Sequence, residues 1–413
     1  MVPARRALAG SLAAGLFGQA VLLVTGIIVA RALGPTDRGY LALLVLVPAI
    51  LQQVGTLGLP LATTYFVARD AGDEARVRHN IALPAVLQGV ILTVIQAGIL
   101  LVLLEDEPQR VQNAALASFI LLPGAIADIY GKALLQGQRR YAAFNVLRNA
   151  NVTFYLLGVL GLVAVTEAEL GNVALVWACA SVLAGGLTVG IALARPPREP
   201  RRDGPSRRAM LRFGVTGFLG SLSPVATFRL DQAVIGLFLA PRALGLYVVG
   251  LAFTNLPAVI SRGIAMIALP QVAQSRDSHY RDAWRFVAVS TALSGAVVLA
   301  LELSVGVLIP FFFGDAFADA VPITRILLVA ALFDGARRVL TDSVSGSGLP
   351  ALGTIAELSS AAVLIPLLVI FTPRWGPEGV AAALAISALL SFATLAVLFW
   401  RSTRGRASST VSG

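Results

Sequence analysis

The chain has 413 residues, 57% of them hydrophobic and only 13% charged. Soluble globular proteins average about 45–50% apolar and about 25% charged residues, so a soluble fold is excluded and a polytopic membrane protein is expected. One cysteine (Cys179) and two histidines (His79 and His279) exclude a disulfide framework and a Cys- or His-ligated metal centre, and no cofactor is implied. The net charge of +10 would suggest nucleic acid in a soluble chain; here the topology of a membrane protein explains it, and no nucleic-acid partner is expected.

A helix needs about 20 apolar residues to cross the hydrocarbon core. In chain order, twelve segments qualify: 8–30, 40–67, 81–104, 112–135, 142–165 and 173–194, then 211–239, 243–272, 286–312, 321–344, 351–371 and 379–400. The expected architecture is an all-α polytopic membrane protein. It has an N-terminal six-helix bundle (1–194), a cytoplasmic linker (195–210), a C-terminal six-helix bundle (211–400) and a cytoplasmic tail (401–413). The linker, rich in Pro, Gly and Arg, reads as an unstructured connection that anchors topology and serves as a flexible hinge. With the N-terminus inside, twenty arginines fall in inner loops and five (Arg31, Arg38, Arg110, Arg242, Arg374) in outer ones. That asymmetry places both termini in the cytoplasm.

The two halves repeat. Leu33-Gly34-Pro35-Thr36-Asp37-Arg38-Gly39-Tyr40 is echoed by Leu239-Ala240-Pro241-Arg242-Ala243-Leu244-Gly245-Leu246-Tyr247. Each is followed by an apolar stretch ending in Leu-Pro, at Leu59-Pro60 and Leu269-Pro270. Parallel repeats of six-helix halves are a transporter signature, and suggest two bundles that rock around a central cavity.

Charges at membrane depth need a partner or a wet cavity. The cations are Lys132, Arg148, Arg229, Arg262, Arg325, Arg337 and Arg338; the acids are Asp128, Asp231, Glu302, Asp334, Asp342 and Glu357. Aligning Gly137 with Gly346 sets Asp128 against Arg337 and Arg148 against Glu357, with signs reversed. One structural ion pair per half is therefore expected, Asp128–Arg148 and Arg337–Glu357. Asp334, Arg338 and Asp342, at i,i+4 spacing, join the structural set. Lys132 either pairs with Asp128 one turn away or, if Asp128 takes Arg148, faces the cavity. Arg325 is expected to snorkel. In the seventh segment Pro224 should bend the helix and act as a hinge, beside Arg229 and Asp231. A cavity with several such cations suits a phosphate-bearing substrate, and the charges alone equally permit a proton- or sodium-coupled exporter of another amphiphile. Asp231 and Glu302 are candidates for ion coupling. Gln19, Gln52, Gln53, Gln88 and Gln96 read as glue between helices.

The run Ala30-Arg31-Ala32-Leu33-Gly34-Pro35, Gly39-Tyr40, Gly58-Leu59-Pro60 and Ala68-Arg69 resembles the start of polysaccharide-transporter proteins. So do Leu230-Asp231 with Ala240-Pro241 and Gly245-Leu246-Tyr247, and Gly376-Pro377-Glu378-Gly379. These are the O-antigen and exopolysaccharide flippases of the multidrug/oligosaccharidyl-lipid/polysaccharide (MOP) exporter superfamily. The resemblance implies a V-shaped pair of six-helix bundles in a bacterial cytoplasmic membrane. It implies flipping of a polyprenyl-diphosphate-linked oligosaccharide from the inner to the outer leaflet, and, by position, a substrate-binding role for the cavity cations Arg229, Arg262 and Lys132. Its partners would be that lipid-linked glycan, membrane lipids and polysaccharide polymerase or export machinery. An ion-coupled multidrug exporter of the same superfamily is the alternative. A membrane glycan ligase ranks below both, because the outer loops are short and contain no histidine.

Overall fold

The computed structural model describes residues 2–196, 204–220, 229–274 and 279–409. They divide into two compact units, Met1–Arg229 and Leu230–Gly413. The first holds α1 (Val2–Gly55), α2 (Leu59–Arg69), α3 (Glu74–Leu103), α4 (Gln109–Ser118), α5 (Leu121–Gly137), α6 (Tyr141–Leu147), α7 (Ala150–Val165), α8 (Leu170–Leu193) and α9 (Arg207–Gly220). The second holds α10 (Leu230–Phe238), α11 (Pro241–Gln274), α12 (His279–Phe313), α13 (Ala320–Gly346) and α14 (Pro350–Ser409).

These helices follow the twelve expected crossings in order, with breaks where backbone chemistry demands them. Within α1, Gly34 sits at φ 72°, ψ 175°, and separates the first crossing from the second. Within α14, Gly376 at φ 54° separates the eleventh from the twelfth. A proline follows each glycine, Pro35 and Pro377, and begins the next helix where a missing N–H costs nothing. Pro241 likewise opens α11. The second crossing is interrupted between α1 and α2 by Leu57 (φ 50°) and Gly58 (φ 68°), both left-handed.

Eight of the described helices are long and apolar enough to cross a membrane, and the protein is a multi-pass membrane protein. The tenth crossing, α13, is absent from that set. Its sequence carries Arg325, Asp334, Arg337, Arg338 and Asp342, too many charges for a lipid-facing span but compatible with one packed among other helices.

Close approach of helices depends on small residues, as expected where lipid removes the hydrophobic drive for helix association. In the first unit α5 lies along α8. A Cβ on Gly124 would stand 2.6 Å from the Ser181 carbonyl carbon, and one on Gly185 would stand 2.3 Å from the Gly124 oxygen. In the second unit α13 lies along α11, and a Cβ on Gly335 would meet the Ser261 hydroxyl at 2.3 Å. Gln52 donates to the Ala125 carbonyl (2.8 Å), Tyr130 to Gln88 (2.7 Å) and Gln96 to Ser118 Oγ (3.1 Å), each bond joining two helices.

The internal repeat has a physical counterpart. A Cβ on Gly137 would sit 3.1 Å from the Thr64 carbonyl and against Val67. One on Gly346 would sit 2.5 Å from the Leu269 carbonyl and against Val272. The fourth crossing of each half thus meets the second at an equivalent glycine.

The boundary between the units differs from the one drawn from sequence. Helix α9, expected in the C-terminal bundle, packs on α2 in the first unit. Gly58 and Gly214 allow backbone-to-backbone contact: a Cβ at 58 would lie 2.1 Å from the Gly214 oxygen. Tyr65 and Phe213 stack at 4.3 Å between ring centroids, and Met210 is buried in the same core as Phe66 and Leu135. The seventh crossing is therefore shared between units. Pro224 lies outside the described residues.

The linker is also more constrained than its composition suggests. Arg78 donates to the Arg195 carbonyl at 2.9 Å, and Asn80 to the Pro205 carbonyl at 2.8 Å. Both described ends of the linker are tied to the start of α3.

Candidate functional site

Most of the intramembrane charges fall into one cluster in each unit. In the first, Asp128 is buried on α5 and its ion pair is with Lys132, one turn further along. Thr188 of α8 places its hydroxyl 3.0 Å from Asp128 Oδ1 and 2.6 Å from the Ala184 carbonyl. The Lys132 ammonium also reaches the Arg148 carbonyl at 3.4 Å. This corrects the expected Asp128–Arg148 pair. A helical i,i+4 partner needs no second helix to be brought into register, so Lys132 takes the carboxylate. Arg148 instead has an exposed side chain at the α6–α7 junction. Next to it Asn149 ties the fifth crossing to the first, donating to the Ala14 carbonyl at 2.6 Å.

In the second unit Arg337 holds two carboxylates. Its guanidinium lies 2.6 Å from Glu357 of α14 and 2.7 Å from Asp334 on its own helix. The forked donors of arginine suit this double contact. Arg338 stands further from Asp334, at 3.9 Å. The expected Arg338–Asp342 contact is not within ion-pairing distance among the described residues. Arg338 turns to the exposed side of α13 while Asp342 stays half-buried. Arg262 of α11 is exposed, donates back to the Ala258 carbonyl at 3.0 Å, and lies within electrostatic reach of Arg338 and Asp334. Arg262, Arg337 and Arg338 therefore share one neighbourhood with Asp334, Asp342 and Glu357.

Three candidates stand apart. Arg229 is exposed, has a left-handed backbone (φ 45°), and forms no ion pair among the described residues. Asp231, two residues on, is buried and accepts a hydrogen bond from the buried Tyr247 hydroxyl at 2.9 Å. Glu302 of α12 lies 3.8 Å from Arg325, and its Oε1 is enclosed with no hydrogen-bond donor. Arg325 thus has a partner as well as exposure.

Two features were missed in the sequence. The first is a pair of clasps at one end of the units. Arg110 pairs with Asp37, and Tyr40 with Glu107, in the first unit; Arg242 pairs with Asp319 at 2.9 Å in the second. The signs are reversed between halves, and the sequence signal was the charged residue beside each repeated proline. The second is a polar cavity of about 520 Å³ at the opposite end of the first unit, lined by Arg69, Asp70, Glu74, Gln138, Arg139 and Arg195. Glu74 is buried there and receives Arg78 and Gln138. Arg78, Gln138 and Arg140 in turn donate to carbonyls of the last turn of α8, which otherwise lack partners.

An all-α, multi-pass protein with internal repeats and charges held inside each bundle has the build of a secondary transporter rather than of an enzyme. Its fold is that of the MOP exporter superfamily. A multidrug-resistance MATE transporter of that superfamily, solved in an inward-facing conformation, matches with a TM-score of 0.76 at 16% identity, over 96% of each chain. The lipid II flippase MurJ, in an inward closed conformation, matches at 0.67 and 13% identity, over 92% of this chain and 85% of the other. A MOP transporter from Pyrococcus furiosus Vc1, whose binding pocket is described as having reverse polarity, matches at 0.62 and 15% identity, over 96% and 95%. No curated protein sequence matches the chain. Residues 28–322 match the model of the polysaccharide biosynthesis protein family, and the chain belongs to that family.

Proposed function

We propose that this transporter flips a polyprenyl-diphosphate-linked oligosaccharide, a precursor of a surface polysaccharide, from the inner to the outer leaflet by alternating access. The observation that carries the reading is the combination of a polysaccharide biosynthesis family with a MOP exporter fold. The similarity to a lipid II flippase supports a lipid-linked sugar as cargo. The accessible guanidinium heads of Arg229 and Arg262 support an anionic headgroup, because arginine offers donors matched to phosphate oxygens. Lys132 is the weaker candidate, since Asp128 already neutralises it. The arginine asymmetry of the loops supports a bacterial cytoplasmic membrane with both termini inside. Polysaccharide polymerase or export machinery would act on the flipped product.

Reconstituted proteoliposomes provide the test. A labelled polyprenyl-diphosphate oligosaccharide is placed in one leaflet and its appearance in the other is followed. Protein-dependent movement is expected, slowed tenfold or more by Arg229→Ala or Arg262→Ala. Absence of movement with every lipid-linked glycan, together with gradient-driven export of a small organic cation, would replace this reading with the multidrug branch.

A further inference from the structure

The sequence places Arg38 among the outer-loop arginines. In the structure it lies in the first turn after the Gly34–Pro35 break and is half-buried, with its Nε enclosed and without a hydrogen-bond acceptor. It forms no ion pair or hydrogen bond among the described residues. The nearby acids are engaged elsewhere: Asp37 turns to Arg110, and Glu107 to Tyr40. Asp37 Oδ1 also lacks a partner, so the adjacent acid and base do not satisfy one another. Burying a cation without an acceptor is costly, and a fold keeps such a group where something else completes it.

Tyr155, which Arg38 reaches electrostatically, and the groups around Tyr155 indicate the ligand. Tyr155 of α7 lies within electrostatic reach of its guanidinium and is 3% exposed, and its hydroxyl makes no hydrogen bond among the described residues. The Tyr155 ring meets Trp177 edge-on, 4.2 Å between centroids. One helical turn before Tyr155, Asn151 shows a buried Oδ1 with no donor. The set contains a forked cation and a hydroxyl donor for an oxyanion, an acceptor one turn away for a hydroxyl, and an aromatic wall.

We propose that Arg38, Tyr155 and Asn151 form a binding subsite within the first unit for a sugar phosphate. Arg38 and Tyr155 hold the phosphate oxygens, Asn151 accepts a sugar hydroxyl, and Trp177 borders the ring. The choice of ligand rests on the flippase reading above; the unpartnered groups do not.

The test is equilibrium binding to the purified full chain in nanodiscs, followed by thermal stabilisation and by isothermal titration. The probes are glucose 1-phosphate, inorganic phosphate, glucuronate and glucose. Glucose 1-phosphate should stabilise the protein more than inorganic phosphate does, and glucose alone should not. Arg38→Met should remove that response while leaving the ligand-free melting temperature equal or higher, because it deletes an unsatisfied buried charge. Arg38→Lys should keep a response weakened about tenfold, and Tyr155→Phe one weakened several-fold. If Arg38→Met binds glucose 1-phosphate like the wild type, or the wild type binds none of the probes, the subsite is overturned. A preference for glucuronate overturns the phosphate assignment. Lipid-linked glycan movement measured on the same preparations separates the two claims: normal flipping with unaltered binding in Arg38→Met removes the subsite and leaves the flippase.

Discussion

Arg337 shows how a single residue can hold two elements of the second unit together. It reaches Glu357 on α14 and Asp334 on α13, and its side chain is only 15% exposed. Removing one member of a buried ion pair typically costs roughly 3–5 kcal/mol, because the remaining charge is left uncompensated. Arg337→Met should therefore lower the melting temperature of the purified protein strongly, and Arg337→Met/Glu357→Gln should recover a large part of the loss. The same melting curves for Asp128→Asn test the first unit, where Lys132 would be left without its carboxylate. The Arg337–Glu357 contact was legible from the repeat, since the glycine alignment sets a cation and an acid on neighbouring helices. Its counterpart was not. The alignment compares positions and is blind to Lys132, which lies one turn from Asp128 and needs no tertiary fit to reach it.

At the scale of elements, the glycines separate into two groups. Gly124, Gly185, Gly335 and Gly346 lie where another helix leaves no room for a Cβ, whereas Gly98 and Gly161 face open space. Gly185→Leu and Gly346→Leu should abolish a monodisperse peak in size-exclusion chromatography. Gly98→Ala and Gly161→Ala should be neutral or stabilising by up to about 1 kcal/mol, as helix propensity alone dictates. Composition reports that both groups exist but not which glycine meets a neighbour. The breaks at Gly34 and Gly376 were more legible, because Gly-Pro marks a helix end followed by a helix start. The interruption at Leu57–Gly58 lay inside a segment whose hydropathy is continuous. It follows from the contact with Gly214, far away in sequence.

Across the whole molecule, the linker and the seventh crossing change the expected division of labour. With Cys179 replaced by alanine, cysteines at Asp73 and Gly204 should be joined by a short bifunctional reagent, because a Cβ on Gly204 lies 3.2 Å from Asp73 Oδ1. Transport should survive that cross-link, since both described ends of the linker already belong to the first unit. Abolished transport would restore the linker as a moving hinge. A fluorescent reporter that matures only in the cytoplasm, fused after Gly413, should be bright, and a dark fusion would reverse the orientation. The sequence by itself determined that the chain is a helical membrane protein of twelve crossings in two related halves. It did so because span length, the positive-inside bias and repeated Gly-Pro punctuation are local or additive properties of the chain. It also placed charges at membrane depth. Only the tertiary structure decided which of those charges neutralise one another, that α9 packs with the first unit, and that Arg38 has no acceptor of its own. Those outcomes depend on distances between residues remote in sequence, set by how closely small side chains let the helices approach.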